Sequence, residues 1–134
     1  MFSESERAYL RSQRLARIAT VSPAAQPDVA PVAYEFDGTH LYVGGLSMTR
    51  TLKYRNARAH PRVAIVVDDA GEGPRAPRGV KIHGSATLEA RDGPRGPRPV
   101  LKITPAAHWS WGIEGPTFRE GAPVIKKTSW SRGS

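Results

Sequence analysis

From residue 80 to residue 90 apolar and polar positions alternate without interruption. Val80, Ile82, Gly84, Ala86 and Leu88 fall on one side, and Lys81, His83, Ser85, Thr87 and Glu89 on the other. A period of two is that of a half-buried strand. Leu15–Val21 is a first apolar strand segment, followed by a Ser22, Pro23, Gln26 and Pro27 turn and a second strand over 28–36. Asp37-Gly38 is a tight hairpin signal, with a return strand over 40–43. Residues 62–67 form a continuous apolar run of strand length, suited to a strand covered on both faces. A last strand is expected around 100–104.

Helical signals occur twice. Ser3 with Glu6 three residues on is a capping box for a short helix reaching about Ser12. A second helix, about 50–59, stops before Pro61. Five or six strands that begin as a meander, with one helix in front and one inserted, predict a mostly β, antiparallel barrel. The Gly-Pro-Arg triplets starting at Gly73, Gly93 and Gly96 mark hairpin tips and not an architectural repeat. Residues 1–114 read as the barrel domain, and 115–134, where periodicity fades, as its extended tail or surface arm.

At 134 residues the chain has room for one core. It contains no cysteine, which excludes disulfide scaffolds, thiolate metal sites and thiol nucleophiles. Its start lacks a secretory pattern and no apolar run reaches spanning length, so the expectation is a cytoplasmic protein with no membrane partner. The net charge of +8 calls for an anionic partner. Many arginines lie in Pro/Gly loops (Arg75, Arg78, Arg91, Arg95, Arg98), and no helix-turn-helix, zinc finger or aromatic RNA-binding signature is present. A polyanionic small molecule therefore ranks above nucleic acid, and an arginine-rich composition from genome base bias is the plain alternative.

The segment 46–56 carries the most chemistry. A loop after Gly44-Gly45 with hydroxyls at Ser47, Thr49 and Thr51 feeds a helix whose first turns hold Arg50 and Lys53, three residues apart on one face. Free N–H groups and the positive end of the helix dipole favour a phosphate there. An ordinary capped helix with a solvated basic side reads the same residues equally well. His40, His60, His83 and His108 are too scattered for a metal motif, and no nucleophile elbow, phosphate loop or dinucleotide fingerprint occurs.

In order and spacing the chain resembles the pyridoxamine-phosphate-oxidase-like split β-barrel family, and within it the actinobacterial branch that uses the deazaflavin coenzyme F420. The resemblance is carried by residues 12–21, 27–32, the cradle with Thr51, Lys53, Arg55 and Asn56, residues 61–69, and Ser110-Trp111-Gly112. It implies a six-stranded, Greek-key-like barrel and a homodimer with two cofactor sites at the subunit interface. It also implies cofactor contacts from Ser47, Arg50, Thr51 and Lys53 to the phosphate, and from Pro31, Val32 and Ala33 to the ring. Residues 43–46, ending at Leu46, would form the other wall, and Trp109 and Trp111 would reach the partner's site. Two departures stand out: Ala30 where relatives often carry Asn, and Thr51-Leu52-Lys53 where the usual cradle is Ser-Arg-Lys, which leaves Arg50 as the replacement.

The expected activity is hydride transfer from reduced F420 to a conjugated double bond of a small, possibly polyketide-like molecule in secondary metabolism. The alternatives are an FMN-dependent oxidoreductase of the same fold and a non-catalytic F420 carrier. No catalytic side chain is assigned. Tyr34, Tyr42, His83 or water would deliver the proton that follows the hydride, and Arg75 and Arg78 would meet the far end of the anionic cofactor tail.

Overall fold

The computed structural model describes residues 1–73 and 76–131. Helix α1, Glu4–Ser12, opens with the capping box: Ser3 Oγ accepts from the Glu6 N–H at 3.1 Å, and the Ser3 N–H donates to Glu6 Oε1 at 2.9 Å. The strands β1 (Leu15–Val21), β2 (Pro27–Phe36) and β3 (Leu41–Val43) form the expected meander. A 3₁₀ turn (Met48–Arg50) and α2 (Leu52–Ala59) follow, then β4 (Arg62–Asp69), β5 (Arg78–Gly93) and β6 (Gly96–Trp111). The second helix thus enters through a 3₁₀ turn and begins two residues later than the sequence suggests.

All strands pair antiparallel, in the order β3-β2-β1-β4-β5-β6, and a further β3–β6 pairing closes a six-stranded barrel. Closure removes the two edges that an open sheet would leave unpaired. Val80, Ile82 and Ala86 point into the core, as the alternation requires, beside Ile18, Ile65, Leu101 and Ile103. Burial of each such aliphatic side chain contributes about 1.5–3 kcal/mol. On β4, Val63, Ile65 and Val67 are buried while Ala64 and Val66 remain half-exposed, so its second face is uncovered in the single chain.

Two expectations need correction. The final barrel strand does not stop near Thr104 but continues to Trp111, because β5 and β6, sixteen residues each, pair along their length as one hairpin. The tail is not a loose arm. After a small β7–β8 hairpin (Phe118–Arg119, Ala122–Pro123), β9 (Lys126–Ser129) pairs with Ala107–Ser110 of β6 as a seventh strand. The long hairpin explains both findings. The first half of β6 pairs with β3 to close the barrel, and its second half runs past β3 and leaves an edge for β9 to satisfy. Among the described residues no helix is long and apolar enough to cross a membrane.

Candidate cofactor site

The segment after β3 turns sharply. Ser47 adopts the left-handed region at φ 51°, uncommon for a residue with a side chain and a conformation that concentrates at ligand-binding loops. Met48 is buried beneath the turn, so the loop is anchored by its one buried side chain while Leu46, Ser47, Thr49 and Arg50 stay exposed. Thr51 caps α2. Its hydroxyl donates to the Met48 carbonyl at 2.7 Å and accepts from the Tyr54 N–H at 3.3 Å. The single hydroxyl proton is therefore committed to the backbone, and Thr51 shapes the turn without offering a donor to an anion.

The N–H groups of Leu52 and Lys53 lie in the first turn of α2, where no helical carbonyl precedes them. Lys53 and Arg50 sit at the same end, and α2 carries no acidic residue in its first turn. Cations at a helix N-terminus oppose the helix dipole, at a cost of about 0.3–1 kcal/mol each when exposed. Neither Arg50 nor Lys53 has an ion-pair partner among the described residues. Unopposed cations beside uncommitted N–H groups form a donor set that a phosphate would satisfy, so the cradle fits the anionic end of a flavin-like cofactor.

Along β2, Pro31 and Ala33 face outward while Val32 is buried, so only the backbone of Val32 can face a ligand. Ala33 lines a cleft of about 260 Å³ with Glu35, Tyr42, Gly44, Gly45 and Arg98. This cleft joins the two walls that the sequence places separately on β2 and at the end of β3. Arg98 is a residue that sequence reasoning left among the loop arginines. It bonds Glu35, and its guanidinium crosses so close to Gly44 that a Cβ there would lie 2.6 Å from Nη1. Arg91 joins it on Glu35 at 3.5 Å and stacks over the Tyr42 ring at 3.8 Å. Two guanidiniums thus share one carboxylate at the mouth of the cleft.

Trp109 and Trp111 both project from the outer face of β6. Trp111 fills the space that Gly79 leaves on β5, where a Cβ would stand 2.6 Å from the indole. Trp109 packs edge-on to His83, with Lys81 Nζ 4.5 Å from its ring centroid. Register runs Pro31 to Arg17, Val66, Lys81 and then Trp109, one residue per strand. Four strand spacings make about 19 Å. Within one chain the tryptophans and the β2 wall therefore share a sheet face without meeting at one ligand.

Of the three side chains considered as proton donors, two have their protons engaged. Tyr34 donates to the Leu10 carbonyl at 2.6 Å, and burial pushes its phenol up to about 12. Tyr42 donates to Asp37 Oδ2 at 2.8 Å, and burial followed by that carboxylate holds its phenol above the ordinary range. His83 is exposed on the outer face, and no hydrogen bond involves its ring among the described residues. Arg75 lies outside the described residues. Arg78 is engaged with Asp69 at 3.0 Å and lies over the Tyr9 ring.

One polar cluster was invisible in the sequence. Glu6, buried, takes the Nε2–H of His108 on Oε1 at 2.9 Å and the hydroxyl of Ser110 on Oε2. The Trp130 indole donates to His108 Nδ1 at 2.8 Å. An indole N–H only donates, so His108 is neutral with its proton on Nε2. Burial alone would raise the Glu6 carboxyl, but the His108, Ser110 and Ser3 donors outweigh it and lower the group from 4.5 to about 2. The serine and histidine each bond the carboxylate and not one another, in a sealed interior, so this cluster is a structural tie. Glu6 and His108 lie 102 residues apart; the one available signal was polar residues alternating with tryptophans along β6.

Comparison with known proteins bears on the family and the fold. Residues 2–112 match the pyridoxamine 5'-phosphate oxidase family. A 5a,11a-dehydrotetracycline/5a,11a-dehydrooxytetracycline reductase of Streptomyces rimosus is 39% identical over 123 residues, covering 85% of each chain. Among solved structures, a conserved hypothetical protein of Mycobacterium tuberculosis superposes with a TM-score of 0.65 at 23% identity, covering 91% of this chain and 94% of its own. An F420 reductase superposes with a TM-score of 0.64 at 24% identity, covering 80% and 98%. These two likenesses speak to the fold. The chain belongs to the pyridoxamine 5'-phosphate oxidase family.

Proposed function

We propose that this family member is an F420-dependent reductase that delivers a hydride to a conjugated double bond of a small, polyketide-like molecule. The observation that carries the reaction class is the 39% identity to a reductase of dehydrotetracyclines across 85% of both chains. The choice of F420 over FMN is supported by charge. F420 carries a phosphodiester and a chain of glutamates, and this chain offers a net +8 with cations at Arg50, Lys53 and Arg55 that form no ion pair among the described residues. When bound, F420 supplies hydride from a ring carbon that stands where a flavin has N5.

The protein's part is binding, orientation and exclusion of water. Arg50, Lys53 and the first-turn N–H groups of α2 hold the phosphate, with Ser47 setting the turn. Ala33, Gly44 and Gly45 are the small residues of one cleft, and a ring would lie there beside Arg98, which crosses Gly44 and bonds Glu35. The active form is a homodimer in the cytoplasm. Leu15, Val29 and Leu46 are 49%, 66% and 96% exposed, an apolar surface that a second copy would cover, and Trp109 and Trp111 reach the partner's site across it.

Side-by-side titration with F420 and FMN at moderate salt tests the reading. Tight, selective F420 binding is the expected result. A preference for FMN would move the protein to a flavin oxidoreductase of the same fold, and binding of neither would leave the family alone standing.

A further inference from the structure

The cleft beside the cradle is built around one arginine. β2 and β3 pair as far as Tyr34 and Val43 and then part, and the cleft of about 260 Å³ opens where Ala33 and Gly44 no longer meet. Arg98 reaches it from β6, the strand on the other side of β3. Two glycines clear its path: a Cβ on Gly93 would stand 3.1 Å from the Arg98 Cδ, and one on Gly44 2.6 Å from Nη1. Gly44 is not in the left-handed region, so this close approach is what calls for glycine there. Arg98 Nη2 bonds Glu35 Oε1, and no other hydrogen bond involves this guanidinium among the described residues. A guanidinium carries more N–H donors than one carboxylate oxygen uses, so those on Nη1, beside Gly44, remain for a ligand. Ser47 lies three residues along the chain from Gly44, so no more than about 11 Å separates their Cα atoms. One ligand can therefore span the cleft and the cradle.

We propose that Arg98 is a ring-binding residue: held on Glu35, it donates from Nη1 to the oxygen-bearing edge of the cofactor's ring while the cradle holds the phosphate. Deazaflavin and flavin rings share a planar edge with carbonyl oxygens, and a planar guanidinium fits such an edge where a lysine ammonium would not. Glu35 is a positioning residue that fixes the plane of the guanidinium. Arg91, 3.5 Å from the other Glu35 oxygen and over the Tyr42 ring at 3.8 Å, holds Glu35 in turn. Gly44 belongs to the same device, since any side chain there displaces Nη1. The proposal rests on the reading that the ring occupies this cleft.

The test uses the full chain and two probes, F420 and its phosphate-free fragment, the deazaflavin ring with its ribityl chain. Each is titrated by ligand fluorescence, and the absorption band of the bound ring is recorded. Arg98→Ala should weaken both probes about tenfold or more and shrink the band shift on binding, and Arg98→Lys should restore little of either. Gly44→Ala moves the guanidinium without removing it. It should melt with the parent, because the displaced atom ends a flexible side chain, yet weaken both probes severalfold. In an Arg98→Ala background, Gly44→Ala and Glu35→Gln should each change nothing further. Lys53→Ala, by contrast, should weaken F420 alone. The inference is overturned if Arg98→Ala binds the phosphate-free probe as the parent does, or if Gly44→Ala weakens binding equally with and without Arg98. A parent that binds FMN and riboflavin instead, with the same dependence on Arg98, would sink the F420 reading and leave the Arg98 assignment standing. Binding of none of these ligands would sink both.

Discussion

Four consecutive residues of β6 divide the molecule into two kinds of surface. His108 and Ser110 point inward and are buried, and each finds a partner on Glu6, with Trp130 closing the other side of the imidazole. Trp109 and Trp111 point outward, half-exposed, Trp109 among two lysines and His83 and Trp111 over Gly79. The polar residues are enclosed and the aromatic ones are open, the reverse of a simple oil-drop arrangement. Buried polar groups with every partner in place specify one geometry. Exposed aromatic surface with loosely held cations is available for a ligand or a second copy. The inner cluster ties α1, β6 and the C-terminal segment together, and the outer face is left for function.

The contrast is broken most severely at Glu6. Glu6→Ala should cost about 3 kcal/mol or more, because the buried donors of His108 and Ser110 lose their acceptor. Chemical denaturation would read it, and a loss below about 1 kcal/mol would mean that the tie is ornamental. The same residue gives a pH test. Its carboxyl is lowered to about 2 in the folded chain from an ordinary 4.5, so its contribution is complete above 4.5 and is lost as pH falls towards 2. That linkage amounts to about 3 kcal/mol. Stability measured between pH 6 and 2.5 should fall, and Glu6→Gln should flatten the decline; an equally steep fall in that variant would assign it elsewhere.

On the open side the expected effect is on binding. Lys53→Ala should weaken F420 affinity by about 1–3 kcal/mol with little change in folding stability. An unaltered dissociation constant would remove Lys53 from the site. The smallest and sharpest comparison sets two tryptophans against each other. Trp130→Phe keeps the ring packed on Phe2 but deletes the donor to His108, at about 1 kcal/mol. Trp109→Phe should stay within about 0.5 kcal/mol in melting experiments, since it removes no hydrogen bond. Equal losses from the two would erase the distinction between the faces.

Much of the frame was legible in the residues because it is local. The Ser3–Glu6 box, the alternation over 80–90 and the Asp37-Gly38 hairpin are each decided within a few positions of chain. The helix start with Arg50 and Lys53 beside it was legible for the same reason, since a helix start and its neighbouring cations are contiguous. What misled was the thinning of periodicity beyond Pro105. Pro105, Gly112 and the aromatic residues disguise a strand whose continuation depends on pairing with β5 and β9. Thr51 shows a finer limit: its residue type allows a phosphate contact, but its hydroxyl proton is taken by the Met48 carbonyl.

By itself, then, the chain's order of residues determined most of the element sequence, the antiparallel class, the basic charge and the start of the second helix with its two neighbouring cations, all set by spacing along the backbone. Only the tertiary structure decided that the tail becomes a seventh strand and that Glu6 meets His108 and Ser110. It also decided that Arg98 crosses Gly44 and bonds Glu35. Each of those outcomes joins positions far apart in the chain. Barrel closure fixes which residues become neighbours, and hydrogen-bond satisfaction fixes which of those neighbours hold one another.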